Sequence, residues 1–187
     1  MTPEEHQGFS KFVQERESIP WKGIVWHHSA TKDGSHRDYE AISRYHTSYR
    51  IDGAIVAYPD WLKRKEISDG KRFEEPWKSI GYHVLTERVG DRIVWLPGRN
   101  FTEKGAHAKG FNKTHLGICC VGNFDKEPIP EDMWDYCLSI TRVLLHFFEL
   151  SKESVIGHRE VFQKLGLPVE KQCPGAYFSM EALRREI

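Results

Sequence analysis

Three short stretches hold the residue types that do chemistry: Val25-Trp26-His27-His28-Ser29-Ala30, Gly157-His158-Arg159-Glu160 and Lys171-Gln172-Cys173-Pro174-Gly175. In the first two, histidine stands where an apolar strand pattern gives way to polar residues, and strand ends are where α/β folds assemble their sites. Cys173 lies in a polar turn. Cys119, Cys120 and Cys137 instead sit in apolar or helical patterns and read as small buried hydrophobes. Two imidazoles and one thiolate are a competent ligand set for zinc (Zn2+), and three protein ligands leave a fourth tetrahedral position open, which suits catalysis rather than scaffolding. The spacing is unlike a zinc finger, with fourteen residues between His158 and Cys173 and 130 between His27 and His158. Within the pair His27–His28, strand alternation aims the side chains apart, so at most one faces such a metal. A cysteine hydrolase with Cys173 as nucleophile and His158 as base is open to the same residues. His6, His36, His46 and His146 have no chemical neighbours in sequence and read as surface or packing residues.

Residues this far apart meet only if a fold brings them together. Thr2-Pro3-Glu4-Glu5 has the form of a helix start, with a cap, a proline and a glutamate three after the cap, opening a helix to about residue 17. Residues 23–27 fit a buried strand, and residues 38–49 place Ala41, Ile42, Tyr45 and Tyr49 at helical spacing. Residues 82–88 and 92–96 flank Val89-Gly90-Asp91 as a β-hairpin, and residues 115–122 form another buried strand. Residues 130–150 are the strongest helix, with Met133, Trp134, Cys137, Leu138, Thr141, Leu144, Leu145 and Phe148 on one face. Val155-Ile156 is a short strand, a short helix follows to Leu165 and stops at Gly166, and residues 179–187 form a last helix. Residues 50–80 are less legible. Tyr58-Pro59-Asp60 and Ser68-Asp69-Gly70 read as turns and Lys63-Arg64-Lys65 as a solvated face, so the segment reads as a surface excursion beside the site. With no repeat, low-complexity tract or linker, the expectation is one α/β domain over residues 1–187, with the site at the strand ends.

Composition narrows the partners. The 27 basic and 27 acidic residues balance to zero formal charge, which weighs against a nucleic-acid partner. No apolar stretch approaches the length of a membrane span, so no membrane insertion is expected. Residues 1–16 are charged and amphipathic and do not read as a secretory signal, so synthesis in a cytoplasm is expected. Four irregularly spaced cysteines are too few for a disulfide scaffold.

The His27-His28-Ser29-Ala30 start, Gly81-Tyr82-His83, Gly105-Ala106-His107-Ala108-Lys109-Gly110, Leu116-Gly117-Ile118, Gly157-His158-Arg159-Glu160 and Lys171-Gln172-Cys173-Pro174-Gly175 occur in a familiar order. It resembles that of the type 2 N-acetylmuramoyl-L-alanine amidases, which include phage endolysins, cytosolic wall-recycling amidases and animal peptidoglycan recognition proteins. The resemblance covers about residues 24–177 and is closest to the short phage endolysins, which share the tyrosine of Gly-Tyr-His and the lysine two before the cysteine. It implies a central mixed β-sheet flanked by helices, and action on peptidoglycan or muropeptides by zinc-dependent hydrolysis of the amide between the N-acetylmuramoyl lactyl group and L-alanine; a monomer is expected. It implies His27, His158 and Cys173 as zinc ligands, with His28 the competing member of its pair, and Tyr82 and Lys171 as catalytic residues beside the metal. His28, His83 and His107 are then expected to bind substrate or support the ligands. Release to the cell wall through a phage pore and use in cytosolic recycling both fit such a protein. Some members of the family hold peptidoglycan without cutting it, commonly without the thiol ligand, and a binding module is the rival reading. One departure stands out: many relatives carry a catalytic glutamate on a central strand, where this chain reads Gly117-Ile118-Cys119-Cys120-Val121, which leaves the general base to Tyr82, the metal-bound water or a further residue that the resemblance does not place. Residues 53–80 also exceed the family's short connection, and the resemblance assigns them no function.

Overall fold

The computed structural model describes residues 1–31, 38–67 and 70–187; His36, and Ser68 and Asp69 of the expected turn, lie outside the described residues. The first helix, α1 (Pro3–Gln14), opens on a reciprocal cap in which Glu5 N donates to Thr2 Oγ1 at 3.2 Å and Thr2 N donates to the Glu5 carboxylate at 3.0 Å. It ends earlier than expected, once Phe9 and Val13 have been buried. β1 (Gly23–His28) is buried at every position because it has a parallel strand on each side. α2 (Asp38–His46) stops short of residue 49, where the chain turns into a segment with its own structure.

That segment is a small lobe rather than a loose excursion. β2 (Arg50–Ile51), β3 (Ala54–Ile55) and β4 (Phe73–Glu74) make an antiparallel sheet in the order β3-β2-β4, and α3 (Tyr58–Ile67) connects β3 to β4. Tyr58-Pro59-Asp60, which reads as a turn in sequence, is the first turn of α3, a position where proline's missing N–H costs nothing. Lys63-Arg64-Lys65 is exposed on that helix as expected. Trp61 is buried against Tyr49 and Phe73, with ring centroids 5.0 and 6.0 Å away. Arg50 is only 1% exposed: its guanidinium lies 4.4 Å over the Tyr45 ring, donates to the Tyr45 carbonyl at 2.7 Å and reaches Glu74 at 3.5 Å. A desolvated cation–aromatic contact of this kind contributes about 2 kcal/mol, and it pins the lobe to the end of α2.

β5 (Val84–Val89) and β6 (Arg92–Pro97) form the expected hairpin, with Gly90 at φ +62° in the turn. β7 (His115–Cys120), α4 (Glu131–Phe147), β8 (Val155–Gly157), α5 (His158–Lys164) and α6 (Met180–Glu186) complete the chain. The main sheet runs β6-β5-β7-β1-β8 and is mixed: only the β5–β6 pair is antiparallel. Alternation divides its two faces. Ile24 and Trp26 of β1, Val84 of β5 and Leu116 and Ile118 of β7 join one core under α1 and α4 with Phe9, Met133, Ile140 and Leu144. Trp26 fixes α4 on the sheet by donating its indole N–H to Thr141 Oγ1 at 3.2 Å. Val25, Leu85 and Cys119 point to the other face, and so does His27. Among the described residues no helix is long and apolar enough to cross a membrane.

Candidate metal centre

Three side chains converge on that second face: His27 near the end of β1, His158 directly after β8, and Cys173 between α5 and α6. The parallel register Trp26↔Gly157 brings the first two together despite their sequence separation. Gly157 is needed there because an added Cβ would lie 2.8 Å from Pro174 Cδ and 2.9 Å from Met180 Cγ. Arg159 then ties the cysteine loop to α5. Its N–H donates to the Cys173 carbonyl at 2.8 Å, and its guanidinium donates to the carbonyls of Gln172, Gly175 and Phe178 at 3.0, 2.7 and 2.9 Å. Glu160 accepts from Gly157 N at 2.7 Å and is clamped by Arg184 at 2.9 and 3.0 Å. The Gly-His-Arg-Glu motif thus holds two positioning residues behind the histidine, although nothing in their spacing announces that role.

One ligand-capable atom from each of His27, His158 and Cys173 lies within 4.8 Å of the others, and His27 Nδ1 is 3.6 Å from Cys173 Sγ. The hydrogen bonds decide which His27 nitrogen is free. His107 Nε2 lies 3.2 Å from the His115 carbonyl, which only accepts, so Nε2 carries the proton. His107 Nδ1 is then a lone pair, and it sits 3.0 Å from His27 Nε2, which must donate. His27 Nδ1 is left bare, facing the sulfur. Burial holds His107 down to about 3 and, with the neighbouring imidazoles, holds His27 well below the usual histidine range, so both stay neutral. Gly117 makes room for this stack, since a Cβ there would come 2.4 Å from the His107 ring.

The other rings divide by strand alternation. His28 turns away from the cluster: its Nδ1 accepts from Phe124 N at 3.2 Å and its Nε2 lies 3.7 Å from the Asp125 carboxylate. Its backbone N–H hydrogen-bonds the Cys173 sulfur instead. His83 is fully buried, accepting from Gly117 N at 2.9 Å through Nδ1 and donating from Nε2 to the Glu103 carbonyl at 3.0 Å; it ties β5 to β7 and does not line the cleft. Tyr82 and Lys171 do line it. The Tyr82 ring is 5.1 Å from that of His27, and burial raises its hydroxyl pKa well above the usual range, so it remains a phenol. Lys171 is exposed at the rim, where its ammonium helps lower the His158 imidazole, which burial takes to about 4. Burial likewise pushes the Cys173 thiol up to about 12. At neutral pH, therefore, neither half of a thiolate–imidazolium pair forms by itself, which weighs against Cys173 as an activated nucleophile.

Two residues at the site escaped the sequence reading. Cys119 is fully buried, as expected of a small hydrophobe, but it pairs in register with His27 and its thiol is hydrogen-bonded to the Tyr82 hydroxyl. His46, read as a surface or packing residue, lines the cleft: it stacks on Trp77 with ring centroids 4.5 Å apart, and Nδ1 accepts from Gly81 N at 3.2 Å. Its placement depends on the 50–80 lobe, which sequence periodicity does not resolve. The cleft above the cluster has a volume of about 850 Å3.

Comparison with known proteins follows the same motifs. The family model for N-acetylmuramoyl-L-alanine amidase, Amidase_2, matches residues 17–176. The endolysin of Enterobacteria phage K11 is 38% identical over 94 residues, which are 49% of this chain and 60% of that protein. Peptidoglycan-recognition protein LB of Drosophila melanogaster is 28% identical over 133 residues, 70% of this chain and 52% of that protein. The matches thus span less than two thirds of either relative. Among solved structures, the endolysin amidase LysCS from Clostridium intestinale URNW aligns with a TM-score of 0.57 over 90% of this chain and 84% of that one, at 20% identity, and so shares the fold. Because the family match runs through the whole central sheet and includes His27, His158 and Cys173, the chain belongs to the N-acetylmuramoyl-L-alanine amidase family.

Proposed function

We propose that the protein is a zinc-dependent amidase that hydrolyses the bond between the N-acetylmuramoyl lactyl group and L-alanine in peptidoglycan. The observation that carries this reading is the set of two imidazoles and one thiol within 4.8 Å of one another on the floor of an open cleft. The donor chemistry fits zinc. Both imidazoles are neutral without a metal, one has a bare nitrogen aimed at the sulfur, and a thiol buried this deeply ionises only against a positive charge. Zinc bound there would lower the pKa of a coordinated water to roughly 7 and polarise the scissile carbonyl.

The chain's own residues supply the rest. His107 and the His115 carbonyl hold the His27 ring in one tautomer and one orientation. The Lys171 ammonium stands at the rim with no carboxylate paired to it among the described residues, suited to meet an oxyanion developing on the lactyl carbonyl. Tyr82 keeps its proton and offers its hydroxyl to the attacking water or the leaving amine. Cys173 in the cluster favours cutting over binding alone.

Digestion of purified sacculi with analysis of products by mass spectrometry tests the proposal. Intact stem peptides with a new N-terminal alanine are expected, their release stopping with a strong chelator and resuming with zinc. Undiminished release from chelated, zinc-free protein would refute it. The ring relay gives a separate expectation: His107→Ala should weaken zinc binding by about 10- to 100-fold while leaving circular dichroism unchanged. Competition against a chromogenic chelator measures this, and unaltered affinity would mean that His27 is held without its neighbour.

A further inference from the structure

Cys119 is fully buried beneath the cleft, on the sheet face that carries the cluster. In the parallel pairings of β7 it stands opposite His27 of β1 on one side and Leu85 of β5 on the other. Ile80 and Leu85 pack around it, and Ile42, Leu96 and the Tyr82 ring lie against them. A thiol among such neighbours fills space as a small hydrophobe does. This one also has a polar partner, because its sulfur is hydrogen-bonded to the Tyr82 hydroxyl.

Tyr82 is held everywhere except at its tip. Its carbonyl accepts from Arg99 N at 2.8 Å, and its ring lies beside those of His27, His46 and His107, with centroids 5.1, 5.7 and 6.4 Å away. These contacts confine the ring but not the O–H, which turns about the C–O bond to suit its partners. Among the described residues, no hydrogen bond other than that to Cys119 engages the hydroxyl. Which group donates follows from the surroundings of the sulfur. The Cys119 S–H is directed at the Cys120 carbonyl, 3.9 Å away. A thiol has one hydrogen, so towards Tyr82 the sulfur offers lone pairs, and the phenol supplies the proton of the bond. With the O–H directed at the sulfur, the oxygen lone pairs are free for the cleft that Tyr82 lines.

We infer that Cys119 is a positioning residue for Tyr82: its sulfur takes the phenol O–H and leaves the phenol oxygen as an acceptor that orients the attacking water. The inference rests on the amidase reading above and decides between the two partners named there. A hydroxyl so directed accepts from water and does not donate to the leaving amine.

Three substitutions separate positioning from packing. Cys119→Ser keeps an acceptor, Cys119→Val fills the space without one, and Cys119→Ala does neither. Cys119→Val and Cys119→Ala are expected to lose about tenfold in kcat on a soluble muropeptide with KM changed by about twofold or less, whereas Cys119→Ser stays within about threefold of wild type. In the Tyr82→Phe background Cys119→Val should cost nothing further, because residues that act as a unit are not additive. Raman spectroscopy of the metal-free protein reads the bond itself. One S–H stretching band should be displaced between wild type and Tyr82→Phe, and that band should be missing from whichever Cys119 variants fold. An undisplaced band would overturn the assignment, as would wild-type turnover in Cys119→Val or losses that multiply in the double variant. If no muropeptide is hydrolysed by any form of the protein, the amidase reading fails, and the S–H band still decides whether Cys119 holds Tyr82.

Discussion

Cys173→Ser or His158→Ala should yield a folded protein without stoichiometric zinc and without measurable hydrolysis of muropeptides. The physical basis is that, among the described residues, no further side chain joins the three in a cluster that could hold a metal. His28 is next in sequence, but its Nδ1 is engaged by Phe124 N and its ring lies on the Asp125 side of the strand. The Cys119 thiol is hydrogen-bonded to Tyr82, and burial raises its pKa well above the ordinary thiol range. A serine hydroxyl ionises far less readily than a thiol, so the exchange of one atom removes the anionic ligand on which a three-ligand site depends. The fold should survive. The loop is held by Arg159 through four backbone carbonyls, none of which involves the sulfur. Metal content by mass spectrometry, melting temperature and product release, measured on one preparation, check all three parts. Full activity in zinc-free Cys173→Ser protein would remove the metal from the mechanism.

Lys171→Ala is expected to do the reverse, keeping the metal and losing about 100-fold or more in kcat with a smaller change in KM. The side chain is exposed at the cleft rim two residues before Cys173, and its charge reaches the cluster, where it helps lower the imidazoles of His27 and His158. A cation so placed does little for the ground state of a neutral amide and much for an oxyanion, so its loss appears in turnover rather than in binding. Lys171→Arg should recover part of the rate, because it restores charge with different geometry. If zinc were lost along with activity in Lys171→Ala, the residue would be acting on the metal. If turnover stayed normal, the oxyanion role would be excluded.

The lobe at residues 50–80 marks where local reading fails. Its strands have two residues each, too short for an alternation signal, and Tyr58-Pro59-Asp60 is compatible with either a turn or the first turn of a helix. What resolves the ambiguity is Arg50, buried against Tyr45, Trp77 and Glu74, contacts that exist only after folding. His46 and Trp77 reach the cleft through that packing. The long elements were legible for the opposite reason. α4 buries Met133, Cys137, Leu138, Thr141 and Leu144 on the face their spacing indicates, and β1 and β7 are the apolar runs they read as.

By itself, the sequence determined the mixed α/β frame and its family, because hydrophobic periodicity and short motifs are local properties that survive the unfolding of everything around them. Tertiary structure alone decided that His27 presents Nδ1, that His107 rather than His83 stands behind it, and that Cys119 bonds Tyr82. A tautomer and a buried hydrogen bond depend on which groups meet across the sheet and how much water is excluded when they do, and neither quantity is written in residue spacing.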